Sequence, residues 1–201
     1  MIHIRTVALA ALAALSVSSA QAAAVVGQPA PELSAPDTTG TTRSLSAYKG
    51  KFVVLEWVNF DCPFVGKHYG SGHMQKLQKD YTGKGVVWLS INSSKTGSQG
   101  HFATEKVNAL LKEKNAAPTA YLLDTPGTVG RAYGAKTTPH MFIVDPKGTL
   151  IYAGGIDDKP STDQADIATA KNFVSAALDE ALAGKPVTTA TSQAYGCSVK
   201  Y

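Results

Sequence analysis

The chain has 201 residues, of which 44% are hydrophobic and 17% charged, and a formal net charge of +4. That balance excludes a disordered, collagen-like or coiled-coil chain and leaves enough apolar material for one well-buried domain. No two Lys or Arg residues are adjacent, which argues against a clustered nucleic-acid stripe, and two cysteines, Cys62 and Cys197, are too few for a disulfide scaffold or a cysteine-based zinc site.

The elements follow in chain order. Arg5 precedes an apolar run, Thr6 to Leu15, then small residues up to Ala24, with Ala20-Gln21-Ala22 and Ala22-Ala23-Ala24 as small-x-small cleavage sites. A signal peptide over residues 1–24 is predicted, because the run is too short and Ala-rich to stay in a membrane. The mature chain is therefore expected in the periplasm or secreted, without a stable membrane span, where two cysteines can oxidise. Asp37-Thr38-Thr39-Gly40 predicts a turn between two short strands, and Ser44 to Tyr48 a helical turn. Phe52 to Val58 and Gly85 to Asn92 are near-continuous apolar runs, the pattern of strands buried on both faces of a parallel sheet. Between them, residues 63–80 predict one helix with Phe64, His68, Met74 and Leu77 inward and Pro63 at its first position.

Thr104 is expected to cap a helix that buries Val107, Leu110 and Leu111. Tyr121 to Asp124 predicts a third strand, Val129 to Tyr133 a short helix, and Met141 to Ala153 a hairpin turning at Pro146-Lys147-Gly148. A long helix follows, capped at Ser161 or Asp163, with Ile167, Val174, Leu178 and Leu182 on one face, ending at Gly184 and Pro186. Parallel strand–helix–strand units, then a hairpin and a covering helix, predict an α/β three-layer sandwich. One domain over 25–185 accounts for these elements, leaving residues 186–201 as a polar tail carrying Cys197.

Cys62 follows a buried strand and precedes Pro63 at a helix start. Sites gather at strand C-termini in open α/β sheets, and a helix N-terminus favours thiolate over thiol. Asp61 opposes ionisation, whereas Lys67 and His68 offset it. The alternative reading is a small buried hydrophobe. Glu56 sits inside the apolar strand, where a carboxylate is costly unless it is paired or hydrogen-bonded. His140 could stabilise a thiolate or face solvent, and His73 and His101 read as surface residues.

Val53 to Val65 resembles the strand and active-site turn of thioredoxin-fold proteins, and Thr137-Thr138-Pro139-His140 with Met141 to Asp145 resembles their cis-proline loop and following strand. Gly27-Gln28-Pro29-Ala30-Pro31, Gly40 and Leu45 to Lys51 are similar to the opening of the redoxin, or AhpC/TSA-like, branch. Cys62-Pro63-Phe64-Val65 and the terminal Tyr195 to Tyr201 resemble a peroxiredoxin-like subgroup with one active-site cysteine. The resemblance implies a thioredoxin-like sandwich with a central mixed sheet and an N-terminal β-hairpin extension.

The resemblance also implies roles. Cys62 is the nucleophile, Glu56 a buried proton acceptor and Pro139 a cis-proline. Thr138, Pro139, Asn59 and Pro63 lie at the substrate, Asn59 standing where peroxiredoxins carry a Thr or Ser. Val65 replaces the second cysteine of a Cys-x-x-Cys pair, Leu55 the peroxiredoxin proline, and Gly66 removes a copper site. Cys197 is left as a resolving cysteine, a static disulfide partner or an unpaired thiol. The polar tail reads as mobile, which suits the first. The expected function is an exported thiol oxidoreductase, an antioxidant-type enzyme working by thiol–disulfide exchange or peroxide reduction without metal or cofactor. Its partners would be protein or small-molecule thiols and disulfides, or peroxides, with an external thiol reductant and no nucleic acid. The alternative is a redox-inert domain that binds ligands in the cis-proline groove.

Overall fold

The computed structural model describes residues 23–201. The predicted signal peptide falls almost entirely outside them. Among the described residues, no helix is long and apolar enough to cross a membrane.

Five strands form the central sheet. They are β3 (Val53–Trp57), β4 (Val87–Asn92), β5 (Ala120–Leu123), β7 (His140–Val144) and β8 (Leu150–Gly154), in the spatial order β5-β4-β3-β7-β8. The β3–β4 and β4–β5 pairs are parallel; β7 runs antiparallel to β3 and to β8. Both faces of β3 are buried, as its unbroken apolar run requires. Val53, Leu55 and Trp57 face one side, and Val54, Glu56 and Val58 the other, the two-residue alternation of a strand.

The first face packs against the hairpin β1 (Ser34–Pro36) with β2 (Thr42–Ser44), the 3-10 turn Leu45–Tyr48 and α4 (Thr128–Tyr133). The second packs against α1 (Pro63–Gly70), α2 (His73–Thr82), α3 (Thr104–Glu113) and α5 (Phe173–Leu182). This is the expected three-layer sandwich with a mixed sheet and an N-terminal hairpin. The hairpin lies along β5 through Thr38 N to Tyr121 O and an Asp37–Leu122 bridge.

Three expectations need correction. The single helix over 63–80 is two, because Gly72 adopts φ 75 at the N-cap of α2, a conformation glycine takes without cost. Thr104 is the first helical residue of α3 and Ala103 the N-cap, without a side-chain bond. The long helix from Ser161 or Asp163 is also two elements. Asp163 caps the 3-10 turn Gln164–Ala168, whereas Asn172 caps α5 by accepting from Ser175 N at 2.7 Å, so Ile167 lies outside α5 and Leu182 is exposed.

Candidate active site

Cys62 is the N-cap of α1, and its carbonyl accepts the first helical bond, from Gly66 N at 2.8 Å. Pro63 occupies the first turn, where its missing N–H costs nothing. The Cys62 thiol is buried and donates to Thr138 O at 3.1 Å. The Thr138–Pro139 bond is cis, and this hydrogen bond sets its loop against Cys62.

Residues 186–201 do not project from the domain. Ala153 N donates to Ala190 O and Ser192 N to Ala153 O, laying the chain along β8. It then crosses to the cis-proline loop, where β9 (Cys197–Ser198) pairs antiparallel with β6 (Thr137–Thr138), Cys197 opposite Thr138. Gly196, at φ 128, lets the two backbones meet; a Cβ there would lie 2.0 Å from Thr138 O. Beyond β9, Val199 N donates to Lys136 O and the Tyr201 hydroxyl to Ala135 O, with the Tyr201 ring against Gly127 and Gly130. The tail expected to be mobile is a docked strap, because its two tyrosines and its backbone find specific seats.

The strap sets the two thiols together with opposite tendencies. For Cys62, burial pushes the thiol up, but the Cys197 thiol, the Val65 N–H and Thr138 outweigh it and hold Cys62 below the ordinary value. For Cys197, burial and then the Cys62 sulfur both push the thiol up. Cys62 is thus the better nucleophile and leaving group of the pair, and Cys197 its proton-bearing neighbour. The Thr138 hydroxyl is buried beside them.

Glu56 is fully buried on the Cys62 face of the sheet and has no bond to Cys62. Oε1 accepts from Tyr69, and Oε2 from Trp88 Nε1, Ser90 and Gln78. Burial nevertheless raises its pKa. Asn59 is not a free donor. Its Nδ2 donates to Gln99 O at 3.4 Å and its Oδ1 accepts from Asp61 N at 2.9 Å, so it shapes the turn before Cys62. His140 accepts from Lys136 N and its ring lies tilted against Phe142, on the opposite face of the sheet from Cys62. A cavity of about 520 Å³ between the strap and this loop is lined by His140, Lys136, Thr137 and Gln193.

Lys67 and His68 do not offset Asp61. Both are buried with Asp157, Lys67 Nζ lying 3.4 Å from Asp157 Oδ2 and 2.7 Å from Lys159 O. His73, read as a surface residue, bonds His68 at 3.0 Å. Sequence gave no sign of this cluster, whose members lie some 90 positions apart. Tyr195 and Tyr201, two aromatic residues in a polar tail, were the signal that the tail docks.

No curated protein resembles the chain at a significant level. Solved structures do. A hypothetical protein from Sinorhizobium meliloti 1021 is 28% identical, with a TM-score of 0.73 over 90% of this chain and 96% of that one. An uncharacterized conserved protein from Geobacillus kaustophilus is 28% identical, with a TM-score of 0.74 over 88% and 92%. The thioredoxin domain of a thiol-disulfide oxidoreductase from Bacteroides vulgatus is 19% identical, with a TM-score of 0.53 over 72% and 96%, and the fold is thioredoxin-like. Residues 26–153 match the AhpC/TSA family, a span that includes Cys62 and the cis-proline loop, and the chain belongs to that family.

Proposed function

We propose that the protein is an exported thiol oxidoreductase in which Cys62 attacks an electrophilic sulfur and Cys197 resolves the product. The observation that carries this reading is the register of β9. It sets Cys197 opposite Thr138, whose carbonyl receives the Cys62 thiol. The Cys62 thiolate displaces one thiolate from a substrate disulfide and forms a mixed disulfide. Cys197, after losing its proton, attacks the Cys62 sulfur and expels the second thiolate. The protein disulfide is reset by an external thiol reductant. A peroxide would enter the same cycle by oxidising Cys62 to a sulfenic acid, which Cys197 converts to the disulfide with release of water. Glu56, buried on the Cys62 face with its pKa raised, is assigned the role of proton acceptor. The opposed acidities of the two thiols and the occupation of the cis-proline edge by the chain's own strand favour this over inert ligand binding.

The test is exposure of the purified protein, Cys62→Ser and Cys197→Ser to glutathione disulfide or hydrogen peroxide, followed by mass mapping of non-reduced peptides. The expected product is an intramolecular Cys62–Cys197 disulfide in the unmodified protein, a trapped Cys62 adduct in Cys197→Ser, and no reaction at position 62 in Cys62→Ser. A disulfide only between chains, or Cys62 driven to sulfinic acid while Cys197 stays alkylatable, overturns the resolving role.

A further inference from the structure

The buried cluster under α1 has no part in the cycle above, yet it reaches the strap at one residue. Tyr195 lies two positions before Cys197 in the chain. Its hydroxyl donates to Asp157 Oδ1 at 2.5 Å and lies 3.2 Å from His68 Nε2. Its ring meets Phe64, two residues after Cys62, edge-on at 5.9 Å, with Lys67 Nζ 5.6 Å away. The hydrogen bonds have one consistent direction. Asn172 Nδ2 donates to His73 Nε2, His73 Nδ1 to His68 Nδ1, and His68 Nε2 to the Tyr195 oxygen. Tyr195 in turn donates to Asp157, whose other oxygen faces Lys67. Both histidines then carry a single ring proton, and each nitrogen has a partner. Tyr195 is the tail's contribution to this chain. It ties the strand that carries Cys197 to the helix that carries Cys62.

We propose that Tyr195 is a positioning residue for the resolving step, locking the strap to the Asp157–His68 latch so that Cys197 is held in register opposite Cys62. The inference rests on the proposed resolving role of Cys197. Loss of the hydroxyl removes a bond to a carboxylate and leaves His68 Nε2 without an acceptor, while the ring and its packing remain. Hydrogen bonds to charged groups hold with enough free energy that the docking equilibrium constant should fall about tenfold or more. The quantity to read is proximity, since an intramolecular reaction depends on the effective concentration of its partner.

The experiment equilibrates the full chain and Tyr195→Phe with mixtures of glutathione and glutathione disulfide, quenches in acid, and separates species by mass. Cys62 first takes one glutathione and releases the other. Cys197 then forms the protein disulfide and releases the second, so one glutathione disulfide becomes two thiols as two protein thiols are oxidised. The ratio of intramolecular disulfide to Cys62–glutathione adduct, multiplied by the glutathione concentration, is the effective concentration of Cys197. It is expected to fall about tenfold in Tyr195→Phe. In the Cys197→Ser background, Cys62 should still be captured by glutathione with or without the Tyr195 hydroxyl. An unchanged ratio overturns the positioning role, as does loss of Cys62 capture in that background, which would make Tyr195 a structural residue of the Cys62 site. If the unmodified protein forms no Cys62–Cys197 disulfide, the reading of Cys197 itself fails, a distinct result that removes this proposal with it.

Discussion

Four donors converge on Glu56, and among the described residues no cation does. Such a donor set fits an ionised carboxylate, whereas burial favours the protonated form, and burial wins in direction. The two demands leave a group that is costly to keep charged and costly to replace. Glu56→Gln keeps the volume but turns an N–H₂ toward hydrogen-bond donors, so it should destabilise the fold by about 1–3 kcal/mol. A lowered urea midpoint with an unchanged slope would show it; an equal midpoint would mean that the surrounding side chains reorient. The strand position of Glu56 was legible in the sequence because it lies in a near-continuous apolar run, and its burial was implied by the family resemblance. Its partners were not. Tyr69, Gln78 and Ser90 are polar residues on three different elements, and nothing local marks them as facing one carboxyl.

At the scale of the element, β9 is only two residues long and has no independent stability. It exists because β6 offers an open edge and because Gly196 allows close approach. Gly196→Ala would place a methyl group against the Thr138 carbonyl in a backbone region that alanine avoids, at a cost of about 1–3 kcal/mol. The strand should lift, and the reduced protein's Cys62 should be alkylated by iodoacetamide about tenfold faster or more. A rate equal to that of the parent would mean that β9 does not cover the thiol. Two-residue pairings of this kind leave no period in a sequence, so the docked strap could not be read there. The break at Gly72 had a visible sign in Gly70-Ser71-Gly72, but the apolar spacing on either side outweighed it. By contrast, Cys62-Pro63 and the cis-proline were legible, because a helix start and a proline loop are set by residues adjacent in the chain.

At the scale of the molecule, His68, His73 and His140 set the response to acid, because burial lowers the pKa of all three. Burial, then His73 and Lys67, pull His68 down to about 3; burial, then Lys136, pulls His140 down to about 4. Unfolded, each would take up a proton near the ordinary histidine value of about 6.5. Below that pH the unfolded chain binds protons that the native one refuses, so stability falls with pH down to the native values. The slope should approach about 1.4 kcal/mol per unit for each histidine. Urea unfolding at pH 7 and pH 5 should show this loss before most carboxylates titrate, and His68→Gln or His140→Gln should flatten it.

The strap has a second consequence, for solubility. A sheet with free margins is a template for other strands, and folded proteins keep such margins covered. Here the turn of the first hairpin lies along β5, and residues 190–192 lie along β8. Lifting the strap therefore bares more than a thiol: it uncovers backbone N–H and C=O groups of β8, to which an extended segment of another chain can add. A truncation that frees Cys62 for study also exposes a surface for aggregation, so the redox chemistry and the colloidal behaviour of this protein depend on the same stretch of chain.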